Sequence, residues 1–280
     1  MKGHIADSRW LSCSKPKATA RVRLFCLPYA GGGASYYRKW SDQLPGTIEV
    51  CPVQLPGREN RIGSPPVRTL EGLLPLLGDA LAPYLDLPFA IFGYSMGALV
   101  GFELAHYLRE KWQREPLCLV VAGRRAPHLP SKDPPFFDLP EAEFWKRLQS
   151  LDGTPQDLFL HPELLELLGP LLRGDLELCD RYRYRSRPAL GCPLVAMAGS
   201  EDSEVNRDEL DGWGTHTTGA FHSEIYPGGH FFVTRVEATI LERIGHRLEI
   251  LREADTEPTG VSASKGSVVH ARQAGRLTVT

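Results

Sequence analysis

Phe89-Ala-Ile-Phe-Gly-Tyr-Ser-Met-Gly-Ala-Leu-Val-Gly-Phe-Glu-Leu-Ala105 is the stretch that decides the architecture. Phe89 to Phe92 form an apolar run of strand length, while Ala98, Leu99, Phe102, Leu104 and Ala105 mark an amphipathic helix. Between them stands Gly93-Tyr94-Ser95-Met96-Gly97, a G-x-S-x-G turn. A strand that passes at once into a helix forces its apex residue into strained backbone angles. Side chains at the flanking positions would collide, and Gly93 and Gly97 leave that space open. The strain exposes the Ser95 hydroxyl. The helix behind it aims backbone N–H groups and its positive dipole end at the same spot. Attack by a serine on a carbonyl creates an oxyanion, so such donors stand where the chemistry needs them. The bare motif recurs by chance as an ordinary turn; the strand before it and the helix after it make it a nucleophile elbow.

Upstream, Arg21-Val-Arg-Leu-Phe-Cys-Leu-Pro28 reads as the first strand, and Tyr29-Ala-Gly-Gly-Gly-Ala-Ser35 as a glycine-rich turn into a helix through Tyr37 and Trp40. This turn lacks the G-K-[ST] of a phosphate loop and the G-x-G-x-x-G of a dinucleotide site. Beside a nucleophile elbow it supplies a second oxyanion N–H, or it is merely a permissive turn. Ile48-Glu-Val-Cys-Pro-Val-Gln54 is the next strand, followed by the loop Leu55-Pro-Gly-Arg-Glu-Asn-Arg61. Arg58 and Arg61 there meet an anionic substrate group, or are solvated or paired with nearby carboxylates. Thr69 caps a helix to about Leu85, with Pro75 early in it. Leu117-Cys-Leu-Val-Val-Ala122 is a further buried strand.

From about 131 to 187 the strand–helix alternation stops. Helical stretches take over at Glu141 to Leu148 and from Pro162 to about Tyr182, the second rich in leucine (Leu164, Leu165, Leu167, Leu168, Leu171, Leu172). This insertion reads as a lid over the active-site face. Alternation then resumes with strands at Cys192–Gly199 and Ser223–Tyr226, a short helix over 208–216, and a helix from about Thr234 to Arg252. The organisation expected is a flexible leader over 1–20, one α/β domain over 21–252 carrying the lid, and a disordered tail over 253–280.

The 280 residues, 42% hydrophobic, suffice for a large core. A formal net charge of −2 argues against a general nucleic-acid binder. No apolar run reaches membrane-spanning length, and the N-terminus lacks the apolar core of a secretory signal. The six cysteines (Cys13, Cys26, Cys51, Cys118, Cys179, Cys192) are scattered, which points to free thiols in a reducing, cytoplasmic setting. Their spacing holds no metal-ligand pattern, so no metal is expected.

A serine hydroxyl needs a base, and the base an orienting carboxylate. In chains built around this elbow the order is Ser, acid, His. His230, in the loop Pro227-Gly-Gly-His-Phe-Phe232 after the last strand, is the candidate base; His216 and His222 are its rivals. Glu201, Asp202 and Glu204 follow a strand end, and Asp202 is preferred because a short Asp side chain in a turn is readily fixed by backbone N–H groups. Glu201 is the runner-up. The oxyanion donors expected are the backbone N–H groups of Met96 and Ala30.

The motifs Leu27-Pro-Tyr-Ala-Gly-Gly-Gly33, Gln54-Leu-Pro-Gly-Arg58, Gly93-Tyr-Ser-Met-Gly-Ala98, Gly123-Arg-Arg-Ala-Pro127, Tyr182-Arg-Tyr184 and Pro227-Gly-Gly-His-Phe-Phe232 together resemble the type II thioesterases, over about residues 20–252. These are stand-alone editing hydrolases of polyketide and nonribosomal peptide synthetases. The resemblance implies an α/β-hydrolase fold with a central, mostly parallel sheet and a helical lid. It maps the nucleophile to Ser95, the acid to Asp202, the base to His230 and the oxyanion donors to Met96 and Ala30. It also implies an acyl thioester on the phosphopantetheine arm of a carrier protein as substrate, with no cofactor of the enzyme's own. The family commonly has His before the nucleophile; this chain has Tyr94. Alternatives on the same triad are a carboxylesterase, an acyltransferase and a medium-chain fatty acyl thioesterase. An alternative of another class is a carrier-binding module with an idle elbow.

Overall fold

A computed structural model describes residues 9–12, 17–151 and 159–256. Six strands form one sheet in the order β2-β1-β3-β4-β5-β6: β1 Val22–Leu27, β2 Ile48–Pro52, β3 Phe89–Tyr94, β4 Leu119–Ala122, β5 Leu194–Gly199 and β6 Phe221–Tyr226. Each neighbouring pair is parallel. The helices are α1 Trp40–Gln43, α2 Leu70–Leu81, α3 Met96–Trp112, α4 Glu141–Gln149, α5 Pro162–Arg181, α6 Arg207–Asp211, α7 Phe232–Arg235 and α8 Glu237–Thr256.

The period-two alternation of a strand divides the core into two layers. Phe25 and Leu27 of β1, Phe89 and Ile91 of β3, and Leu119 and Val121 of β4 face α2 and α3. Leu24 and Cys26, Ala90 and Phe92, and Val120 and Ala122 face the other way, onto Trp40 of α1 and Ile240, Leu241, Ile244 and Leu248 of α8. Both faces are covered, which is why these strands read as continuous apolar runs. Thr69 caps α2 by accepting from the Gly72 N–H at 3.2 Å. Pro75 lies in the second turn of α2, where its missing N–H leaves the Glu71 carbonyl without its usual intrahelical donor.

After β1 the chain moves outward to β2, then crosses back to β3 on the opposite side of β1. Ligands in open parallel sheets bind at such a reversal, beyond the carboxyl ends of the strands. The loops after β1, β3, β5 and β6 all emerge at that end. The insertion between β4 and β5 holds α4 and α5 and has a small core of its own, in which Phe136, Phe144 and Leu148 pack with Leu172 and Leu176. Arg173 of α5 braces it, donating to the carbonyls of Phe137 and Leu139 at 2.6 and 2.8 Å.

Two boundaries differ from the sequence expectation. Within the leader, residues 9–12 are anchored: Leu11 bridges Val53, the Ser12 N–H donates to Pro52 O at 2.9 Å, and Gln54 N–H donates to Trp10 O at 2.8 Å. Trp10 and Leu11 are buried, because this apolar pair covers the sheet beside β2. The rest of that leader before residue 17 lies outside the described residues. At the other end α8 runs on to Thr256, since Glu253 and Ala254 are good helix formers; residues 257–280 lie outside the described residues. Among the described residues no helix is long and apolar enough to cross a membrane.

Candidate active site

Ser95 stands between β3 and α3 with φ 51° and ψ −110°, one of three described non-glycine residues at positive φ. The two glycines around it are sterically required. A Cβ on Gly93 would sit 2.2 Å from the Gly97 carbonyl oxygen, and one on Gly97 would sit 2.2 Å from Leu27 O and 2.7 Å from Pro28 O. These are backbone atoms of β1 and the turn itself, so the strain cannot relax through a side chain. Gly97→Ala is therefore expected to cost about 3 kcal/mol, as overpacking does. In a chain of this size that lowers Tm by roughly 6–12 °C. A melting point within about 1 °C of the parent in calorimetry would show that the turn has slack.

His230, buried in the loop after β6, joins two partners. Its Nε2 is 3.1 Å from Ser95 Oγ, and its Nδ1 is 3.0 and 3.2 Å from the two carboxylate oxygens of Asp202. The Asp202 side chain is fully buried after β5 and also accepts from the Glu204 N–H at 2.9 Å. A carboxylate can only accept, so it draws the imidazole proton to Nδ1 and leaves the Nε2 lone pair facing Ser95. The rival residues lie elsewhere. Glu201 is exposed, and Glu204 sits 3.8 Å from Arg125. His222 is exposed on β6. His216 is buried against Phe102 and Trp213, with its Nε2 2.7 Å from His128 Nδ1. Burial, then the nearby His128 and Arg187, lowers its pKa to about 4.

Ala30, Ser95, Met96 and His230 line one cavity of about 1180 Å³. Among the described residues no protein acceptor takes the N–H of Ala30 or Met96. Gly31, next in the turn, is not an equivalent donor, because its N–H is spent on Asp175 Oδ2 at 2.7 Å. The cavity roof is the insertion: Leu164, Leu168, Leu171 and Leu172 of α5 line it, at the spacing of one helical face. Leu167, read from the sequence as part of that apolar face, is instead 53% exposed.

Tyr94 does work that the sequence did not assign, and Arg58 and Arg61 are held within the protein rather than left for a substrate group. Tyr94, fully buried, donates from its hydroxyl to the His230 carbonyl at 2.5 Å, and its ring stacks on the imidazole at 28° with centroids 6.0 Å apart. The departure at this position thus supports the histidine loop. Tyr94→Phe leaves that buried carbonyl without its donor, a loss of about 1–2 kcal/mol. The expected result is a roughly tenfold lower kcat at unchanged KM. An unchanged kcat would show that the hydroxyl does not hold the loop. Arg58 is not available to a substrate anion: it is buried in an ion pair with Asp175 of α5, 2.7 Å away. Arg61 likewise donates to Gln54 O at 2.9 Å and lies 4.1 Å over the Trp10 ring. Burial pushes the Asp175 carboxyl up, while Arg58 and the Gly31 N–H oppose that shift.

A parallel sheet with a serine elbow after β3, an acid after β5 and a histidine after β6 defines a serine hydrolase of the α/β-hydrolase fold. Residues 22–248 match the family model described as a thioesterase domain. The chain is 43% identical over 251 residues to the linear gramicidin dehydrogenase LgrE of Brevibacillus parabrevis, covering 89% of this chain and 95% of that protein. It is 37% identical over 244 residues to the gramicidin S biosynthesis protein GrsT of Aneurinibacillus migulanus, covering 87% and 95%. Among solved structures, the type II thioesterase BorB from the borrelidin biosynthetic cluster superposes with a TM-score of 0.78 at 34% identity, over 85% of this chain and 97% of that one. The chain belongs to the thioesterase family, and its reaction is hydrolysis of a thioester.

Proposed function

We propose that this thioesterase removes acyl groups from the phosphopantetheine arms of carrier proteins in a polyketide or nonribosomal peptide assembly line. The observation that carries the reading is the Ser95–His230–Asp202 chain at the floor of the leucine-lined cavity. Relatives named for gramicidin S biosynthesis and for the borrelidin cluster support the setting. In the first half-reaction His230 Nε2 takes the Ser95 proton as Oγ adds to the thioester carbonyl. The N–H groups of Ala30 and Met96 receive the oxyanion. The tetrahedral intermediate collapses with loss of the thiol, which takes the proton from His230. Water then adds to the acyl-serine with His230 as base, and the free acid leaves. Asp202 holds the imidazole and stabilises its protonated form. These steps need no cofactor beyond the arm that the substrate itself carries. Leu160, just before α5, and Leu167 within it are 73% and 53% accessible and leave apolar surface beside the cavity for the incoming arm.

The word dehydrogenase in one relative's name suggests a second reading, tested by the glycine-rich turn after β1. A dinucleotide pyrophosphate needs that turn open to a helix N-terminus. Here it is filled by α5: a Cβ on Gly31 would already lie 2.7 Å from Leu172 Cδ2, and the Gly31 N–H is taken by Asp175. This packing favours acyl transfer to water over hydride transfer.

The test compares one acyl group on a carrier protein, on coenzyme A and on p-nitrophenol. The expected order of kcat/KM is carrier first, with free acid as product. Preference for the p-nitrophenyl ester would favour a carboxylesterase. Transfer to an added amine in preference to water would favour an acyltransferase.

A further inference from the structure

We propose that Asp175 and Arg58 are positioning residues for the oxyanion hole. They tie helix α5 of the insertion to the turn that presents the Ala30 N–H. The inference rests on Ala30 as an oxyanion donor and deepens that reading. Asp175 Oδ2 accepts from the Gly31 N–H at 2.7 Å, while its Oδ1 accepts from Arg58 Nη2 at 2.7 Å. Arg58 Nη1 in turn donates to the Gly32 carbonyl at 2.9 Å. The Ala30–Gly31 and Gly32–Gly33 peptides, which bracket the Gly31-Gly32 turn, are thus both gripped by one ion pair. Its two side chains are only 4% and 3% exposed.

The turn needs such a grip. Gly31 has φ +78°, a conformation with no side chain of its own to hold it. The Ala30–Gly31 peptide shares the Ala30 Cα with the peptide that carries the Ala30 N–H, so anchoring it at the Gly31 N–H limits the torsions through which the Ala30 N–H can move. Arg58 is itself held, since Gln54 Nε2 donates to the Arg58 carbonyl at 2.9 Å and Gln54 Oε1 accepts from the Ala34 N–H at 2.8 Å. Leu172, one turn before Asp175 on α5, lies directly against Gly31. Seating α5 and ordering the oxyanion turn are therefore one event. A buried charge pair is a costly way merely to pack a helix, because an apolar pair of similar volume often does as well. Two directional grips on one turn are what the charges add.

The test uses the full chain and a short acyl-coenzyme A, with active sites counted by complete titration with a fluorophosphonate. Asp175→Asn is expected to lower kcat per titrated site about thirty-fold, less than complete loss of an oxyanion donor, with KM within about twofold. Affinity for an alkyl boronic acid, whose tetrahedral adduct on Ser95 carries a negative oxygen at the oxyanion position, is expected to fall in step with kcat. Arg58→Lys, which keeps the charge but loses the fork, is expected to fall between. Unchanged kcat per titrated site and unchanged boronate affinity would overturn the proposal, even with Tm lowered, because they would reduce the pair to a structural one. Should Asp175→Asn fail to fold, the R58M/D175M double variant leaves no charge buried alone and is read against the same two outcomes. The parent enzyme separates the premises: if it neither titrates at Ser95 nor releases acid, the functional reading fails first; if it does both, the variants judge the positioning role alone.

Discussion

Ser95→Ala is expected to lower kcat/KM for a short acyl thioester by roughly five to six decades. The size follows from what Oγ alone supplies. It is the atom at the cavity floor that the His230 Nε2 lone pair faces, 3.1 Å away. Without it the remaining oxyanion donors and the cavity can still bind and polarise a thioester, which leaves a residual rate above that of water. Binding should survive, because the leucine-lined cavity is untouched; the Kd of the variant for substrate should stay within about threefold of the parent KM. The alanine keeps the strained apex, so Tm should also be near the parent value. Stopped-flow measurement of thiol release settles the point. Residual activity above about 1% would mean that a group other than Ser95 attacks the carbonyl.

Asp202→Asn is expected to cost about four decades in kcat, whereas Glu201→Gln should change it less than twofold. Both carboxylates follow β5, yet they differ in every physical respect. The Asp202 carboxylate is fully buried against His230 Nδ1, and Glu201 is exposed. An asparagine in that place can turn its NH₂ toward Nδ1 and stabilise the wrong imidazole tautomer. Nε2 then carries the proton and cannot accept one from Ser95. The isosteric change leaves packing intact, so Tm should fall little while kcat collapses at neutral pH. Equal losses in the two variants would return Glu201 to consideration as the acid.

Local chemistry explains what could be read in advance. Strand runs that are apolar on both faces, the glycine-flanked serine, the Thr69 cap and the leucine repeat of α5 are all short-range patterns, and the structure places each where its pattern indicates, except that Leu167 of the repeat faces out. Asp202 and His230 were legible because each follows a strand end, and a parallel sheet brings such loops to one edge. The Arg58–Asp175 pair was not legible: its members are 117 residues apart, and neither shows a local signature of burial. The same holds for Tyr94, whose hydroxyl meets a carbonyl 136 residues away. Trp10 and Leu11 did leave a signal, two adjacent apolar residues in a polar leader. Yet nothing nearby indicates that their surface is the edge beyond β2, at Val53. Long-range pairings of this kind carry no periodicity.

The most direct measurement is intact mass of a carrier protein bearing an acylated phosphopantetheine arm, followed in time with the parent enzyme and with Ser95→Ala. Hydrolysis at Ser95 requires the carrier to lose the acyl mass alone, keeping its arm, in the parent reaction only. An acyl carrier that keeps its full mass beside a parent enzyme that still cleaves p-nitrophenyl esters would contradict carrier-bound thioesters as the substrate. Equal acyl loss with the alanine variant would contradict Ser95 as the nucleophile.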